Sequence, residues 1–189
     1  MEIALVRHTP VVLSPQYCYG QTDVDLTDDF PQQAAHVLQK LDAAFPAGDR
    51  WVVTSPLARC RRLAELCGKK PHVDPRLMEM NFGKWEGLPW NTIPAEEYEP
   101  WVRDFVRIAP PGGECFQALY QRSLDAFESL KKSPHERIIV IAHAGVIRSI
   151  MASILEIPLT KVFSIQLDYG SLSRIRIDGE LCRIQSING

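Results

Sequence analysis

The sequence predicts an α/β fold, a three-layer sandwich with a mostly parallel central sheet and helices on both faces. Three observations predict it. Short apolar runs of strand length alternate with amphipathic stretches of helical period. The clearest run, residues 138–142, has no polar alternation, as a strand covered on both faces requires. The chain has 189 residues. That suits one domain, 1–189, able to bury roughly 70% of its unfolded surface without a covalent or metal staple.

The elements follow in chain order. Residues 2–6 form an apolar run that stops at Arg7-His8-Thr9-Pro10, where Pro10 favours a loop. From there to Thr27 the chain is rich in Pro, Gly, Asp and Thr, a long loop of the kind that usually serves function. Residues 28–45 read as a helix, with Phe30, Ala34, Leu38, Leu41 and Phe45 in one apolar stripe and Pro46 and Gly48 as its end. Trp51–Thr54 is the next strand. Ser55-Pro56 has the form of an N-cap and a first-turn proline. Cys60, Leu63, Ala64 and Cys67 follow at helical spacing, and Gly68 stops that helix.

Residues 71–90 are irregular apart from a short strand near 72–74. An insertion over about 88–113, with aromatic and proline residues in broken periodicity, reads as a small helical cover over the carboxyl edge of the sheet. Pro110-Pro111-Gly112-Gly113 then leads into a long helix with Phe116, Leu119, Tyr120, Phe127 and Leu130 inward. Residues 138–142 turn through His143-Ala144-Gly145 into a helix over 146–155. Residues 162–167 and 173–177 read as late strands, and the tail to Ile187 as another.

Composition excludes several functions. The net charge is −2, from 21 basic and 23 acidic residues, which argues against a nucleic-acid or anionic-membrane surface. No apolar stretch has membrane-spanning length, and residues 1–6 lack the flanks of a signal peptide. The five cysteines form no CxxC pair, which points to a reduced, cytoplasmic protein. A homodimer is compatible with this composition.

Three polar groups occupy matching places in three strand–turn–helix units. Arg7-His8 closes the first strand, Arg59 lies one turn into the helix after Trp51–Thr54, and His143 closes the 138–142 strand. Parallel strands bring all three to the carboxyl edge, where open α/β sheets place ligands. Two arginines and two histidines around one point make a phosphate site, since guanidinium matches phosphate geometry and stays charged. Helix amino termini after Ser55 and His143 add partial positive charge. Neutral imidazole at His8 is a nucleophile near pH 7. A leaving alkoxide then needs a proton, and Glu79, flanked by Leu77, Met78 and Met80, is the best donor. Glu86, Glu96, Glu97 and Glu114 also lie in covering segments.

With these residues assembled, the chain resembles the histidine phosphatase superfamily. Leu5-Val6-Arg7-His8-Thr9 is similar to the Arg-His-Gly signature that carries the nucleophile. Ser55-Pro56-Leu57-Ala58-Arg59 resembles the segment that gives the second phosphate arginine. Leu77-Met78-Glu79 with Phe82–Gly87 resembles the acid–base segment, and the run from Ile141 to Arg148 the one with the second histidine. Tyr19–Asp23, residues 85–90 and Pro110–Glu114 look like the α-ribazole phosphatase subgroup. The resemblance implies catalysis by His8, Glu79, Arg7, Arg59 and His143, and phosphate binding by Arg7, Arg59, His143 and Ala144. It implies a substrate wall at Gln21 and Thr22, a small phosphate monoester as partner, and neither cofactor nor metal. Three positions depart from the pattern. Thr9 and Ala144 stand where glycine is usual, and Cys115 where serine is common.

Other readings stand beside this one. Trp85, Trp90 and Trp101 are packing groups in the plainer reading and an aromatic wall for a ring-bearing substrate in the other. His36, His72 and His135 lack ligand spacing and read as surface residues. A sugar-phosphate mutase would use the same scaffold, but the segment after Glu79 is short, which favours hydrolysis. A binding module without turnover would keep the pocket alone. A zinc hydrolase would need a metal between two repelling arginines, and the chain has no HExxH.

Overall fold

The first strand, β1 (Glu2–Arg7), has a parallel neighbour on one side and an antiparallel one on the other. The computed structural model describes residues 1–45, 50–68 and 70–189. The parallel part comprises β1, β2 (Trp51–Thr54), β3 (His72–Val73) and β4 (Arg137–Ala142). β5 (Leu172–Asp178) runs against β1, and β6 (Leu181–Ser186) runs against β5. The order across the sheet is β3-β2-β4-β1-β5-β6.

Strand alternation divides the core between two faces. Ala4, Val6, Ile139 and Ile141 pack with α1 (Phe30–Ala44) and α2 (Ala58–Cys67). Ile3, Leu5, Ile138 and Val140 pack with α4 (Phe116–Lys131) and α5 (Ala144–Leu155). All eight strand residues are fully buried. Full burial of one such aliphatic side chain contributes about 1.5–3 kcal/mol, so this double covering dominates the fold's stability. The insertion holds α3 (Ala95–Arg103), whose Tyr98 and Trp101 pack on Trp85. Among the described residues no helix is long and apolar enough to cross a membrane.

Several sequence expectations need correction. Residues 162–167 form no strand; a 3-10 helix spans Leu159–Ser164. The carbonyls of Ile165 and Leu167, which a ladder would use, accept from Arg148 and Arg7 instead. On α1, Val37 is buried and Leu38 only half so. The expected helix stops at Pro46 and Gly48 lie outside the described residues. α2 begins at Ala58, and Ser55 does not cap it. The Ala58 amide donates to Asp23 Oδ1 at 2.7 Å, so a carboxylate from the long loop takes the capping place. His36 and His72 are exposed as expected, but His135 is half-buried and stacks on Trp51 with centroids 4.7 Å apart.

Candidate active site

Sheet register sets the site. Arg7 pairs with Ala142 across β1 and β4, so the next residues, His8 and His143, leave the sheet side by side. Their ring centroids lie 5.1 Å apart, edge to face. Thr54 pairs with Ile141, which brings Ser55 to the same edge. The Ser55 hydroxyl sits 2.9 Å from His143 Nε2. Its hydroxyl thus serves the imidazole and, at 3.4 Å, accepts from the Leu57 amide that precedes α2.

His8 Nδ1 lies 2.7 Å from the Thr9 carbonyl, which can only accept, so Nδ1 carries the hydrogen and Nε2 keeps its lone pair. Burial, then the charge of Arg59, holds the His8 imidazole well below its ordinary 6.5; Arg7 adds to this and the Thr9 bond opposes it. Burial also depresses His143, with Arg59 and His8 adding to it. Both rings are therefore neutral at pH 7, and His8 is ready as a base or nucleophile.

The arginines are tightly held. Arg59 is fully buried; its Nη1 donates to the Thr22 carbonyl at 2.9 Å and its Nη2 to that of Gly20. Arg7 Nη1 donates to the Leu167 carbonyl at 2.6 Å. The Nε atoms of both are buried without a protein partner among the described residues. Two such donors beside a cavity suit an anion that supplies the missing acceptors.

Arg7, His8, Arg59, Glu79, Ala144 and Gly145 line one cavity of about 280 Å³. Of the five glutamates weighed from the sequence, Glu79 alone lines it. Glu79 Oε2 accepts from the Gly145 amide at 3.1 Å and Oε1 from the Met80 amide at 2.9 Å. The first bond uses an N–H of the α5 amino terminus, which sequence reasoning had assigned to phosphate. Glu86 has another task. Burial raises its carboxyl, but bonds from Thr22, Gln21 and Phe82 outweigh this and hold it below the usual range. Glu97 accepts from Trp85 Nε1, and Glu114 pairs with Arg122.

Two expected wall residues stand elsewhere. The Gln21 side chain donates to the Glu79 carbonyl at 3.1 Å, and the Thr22 hydroxyl donates to Glu86. Neither lines the cavity, and they brace the loop and the Glu79 segment instead. His143 is fully buried behind His8 and does not line it either. Thr9 and Ala144 lack positive φ, which among the described non-glycine residues belongs to Lys70, Glu156 and Asn188.

Sequence reasoning missed three lining residues, Arg148, Tyr19 and Tyr169. Arg148 reaches the cavity from α5, Nε bonded to the Ile165 carbonyl at 3.1 Å. Tyr19 and Tyr169 stand over the arginines. The far wall is aromatic, with Trp90 and Trp101 on it as the second reading of the tryptophans expects, beside Phe82, Phe105, Phe116 and Phe163, whereas Trp85 is a buried packing group. Arg148 was visible as the last residue of the His143 motif; nothing in the local sequence marks Tyr169.

Comparison with known proteins places the chain in one family. A family model described as the histidine phosphatase superfamily (branch 1) matches residues 3–189. The adenosylcobalamin/α-ribazole phosphatase of Salmonella typhimurium is 30% identical over 204 aligned positions, covering 100% of this chain and 96% of that one. A probable phosphoglycerate mutase of Cronobacter sakazakii is 30% identical over 185, covering 93% and 84%. The crystal structure of the α-ribazole phosphatase from Shigella flexneri superposes with a TM-score of 0.89 at 27% identity, covering 100% and 96%.

Proposed function

Because this chain belongs to the histidine phosphatase superfamily, we propose that it hydrolyses phosphate monoesters through a phosphohistidine on His8. The observation that carries this reading is the convergence of His8 Nε2, the half-buried Arg7 and fully buried Arg59 with their unpartnered Nε donors, and Glu79 on one cavity.

The steps follow from the geometry. The ester phosphate binds between Arg7 and Arg59. His8 Nε2 attacks phosphorus, forming a P–N bond as the P–O bond to the alcohol breaks. Glu79 gives its proton to the departing alkoxide. Water then attacks the phosphohistidine, Glu79 takes a proton from it, and the P–N bond breaks to release inorganic phosphate. The arginines stabilise charge on the phosphoryl oxygens throughout. His143, bonded to Ser55, supports His8 from behind.

The physiological substrate we propose is α-ribazole 5′-phosphate, cleaved to α-ribazole and phosphate in cobalamin assembly. The relatives named for that activity support it, as does the aromatic wall, which suits a benzimidazole ring. The free cysteines support a cytoplasmic setting. A mutase acting on a phosphorylated sugar acid is a second reading, favoured by the relative named a phosphoglycerate mutase. Product analysis separates them, since a phosphatase yields free phosphate and a mutase an isomeric ester.

A phosphate-release screen over phosphomonoesters, α-ribazole 5′-phosphate among them, tests the proposal. Turnover should survive EDTA and drop by at least about 10³-fold in His8→Ala. Full activity in that variant refutes the mechanism.

A further inference from the structure

The hydroxyls of Tyr19 and Tyr169 lie 2.6 Å apart and join segments 150 residues distant in sequence. Each ring also meets a cation of the phosphate site. The Arg7 guanidinium sits 3.7 Å over the Tyr169 ring, and that of Arg59 lies 5.5 Å from the Tyr19 ring. The Tyr169 ring is 5.4 Å from that of His8. Both tyrosines line the cavity.

A count of hydrogens gives the pair a chemical role. Each hydroxyl carries one hydrogen. One of the two lies in the bond between them; the other has no protein acceptor among the described residues. Burial, then the bond to Tyr169, pushes the Tyr19 hydroxyl well up, so it keeps its proton at neutral pH. The arginines, meanwhile, are partly committed to backbone carbonyls of Leu167, Thr22 and Gly20. A phosphoryl group in transfer spreads charge over three equatorial oxygens. The site therefore has an acceptor to spare and, in this pair, a donor to match.

We propose that Tyr19 and Tyr169 belong to the phosphoryl-binding site: the pair donates its spare hydroxyl hydrogen to a phosphoryl oxygen, and the Tyr169 ring holds Arg7 in place. This rests on the phosphomonoesterase reading. The Tyr169 loop is fixed for the task, because the Gly170 amide lies 3.1 Å from the carbonyls of both Arg7 and His8.

The test uses the full chain with Tyr19→Phe, Tyr169→Phe, the double variant and Tyr169→Leu. The readouts are kcat and KM on p-nitrophenyl phosphate, the inhibition constant of orthovanadate, which mimics five-coordinate phosphorus, and the thermal unfolding midpoint. Either single Phe variant leaves one hydroxyl able to donate, so each should lose less than about 3-fold in kcat/KM. The double variant should lose about 10-fold, the size of one hydrogen bond. Vanadate inhibition should weaken by the same factor while the midpoint holds. Tyr169→Leu should fall further than Tyr169→Phe and be rescued by it.

Wild-type kcat/KM in the double variant overturns the proposal. So does lost activity with unchanged vanadate inhibition, which would mark a loop brace only. Tyr169→Leu matching Tyr169→Phe overturns the role of the ring. If the wild-type chain hydrolyses no ester, that failure belongs to the phosphatase reading, and the orthovanadate dissociation constant by titration calorimetry, weaker by about 10-fold in the double variant, judges the pair instead.

Discussion

A β-carbon at Gly145 would stand 2.2 Å from Glu79 Oε1 and 2.8 Å from Leu119 Cδ2. The first of these is the tip of a flexible side chain, so Gly145→Ala should displace the carboxylate rather than unfold the protein. Alanine also favours a helix over glycine by about 1 kcal/mol, which offsets the crowding. The expected outcome is a loss of about 10²-fold in kcat, typical of a misplaced acid–base group, with little change in the unfolding midpoint. Steady-state kinetics beside calorimetry checks it. At this scale the chain announces much of its chemistry. The convergence of Arg7, His8 and His143 is legible because polar groups that close parallel apolar strands share an edge, and that of Arg59 because its helix starts from the same edge. Gln21 and Thr22 were not placed correctly, since a loop's side-chain directions depend on its partners, here Glu86 and the Glu79 carbonyl. Tyr169 was invisible because its position depends on the antiparallel return into β5.

Between elements, Arg122 of α4 fastens the Glu79 segment. Its Nη1 donates to the carbonyls of Arg76 and Met78, and its Nη2 to that of Glu79 at 2.9 Å and to Glu114 Oε1 at 2.6 Å. Glu114 Oε1 in turn accepts from the Asn81 amide at 2.9 Å. Arg122→Met should leave a half-buried carboxylate unpaired and three carbonyls without that donor. A cost of about 2–3 kcal/mol is expected, measured by urea unfolding, with a fall in kcat as the Glu79 segment loosens. A stability loss with full activity would separate this network from the site. Helix and strand types were mostly legible from periodicity. The 162–167 segment misled because Phe163, Ile165 and Leu167 alternate with Ser164 and Gln166 as in a strand. Its carbonyls are instead claimed by two arginines, a tertiary demand that no local pattern reveals.

For the whole molecule, the two buried imidazoles link stability to pH. Both are held well below 6.5 in the folded chain. Above 6.5 the rings are neutral folded and unfolded alike, and their contribution is level. Below it the unfolded chain binds protons that the folded chain refuses, so stability falls as pH falls. The slope is about 1.4 kcal/mol per pH unit for each ring. Unfolding midpoints measured from pH 7 to 5 should decline, and His143→Gln should flatten the decline. An unchanged slope in that variant would contradict the buried neutral ring. The sandwich itself was readable because strands covered on both faces need unbroken apolar runs. The antiparallel hairpin was less so, since direction is set by connection length rather than composition. The strand order carries a consequence for synthesis. β1 pairs only with β4 and β5, which lie more than a hundred residues downstream. A nascent chain leaving the ribosome holds Arg7 and His8 at the end of an unpaired strand until β4 has followed. The His8–His143 pair therefore assembles only when β4 docks beside β1, late in the growth of the chain.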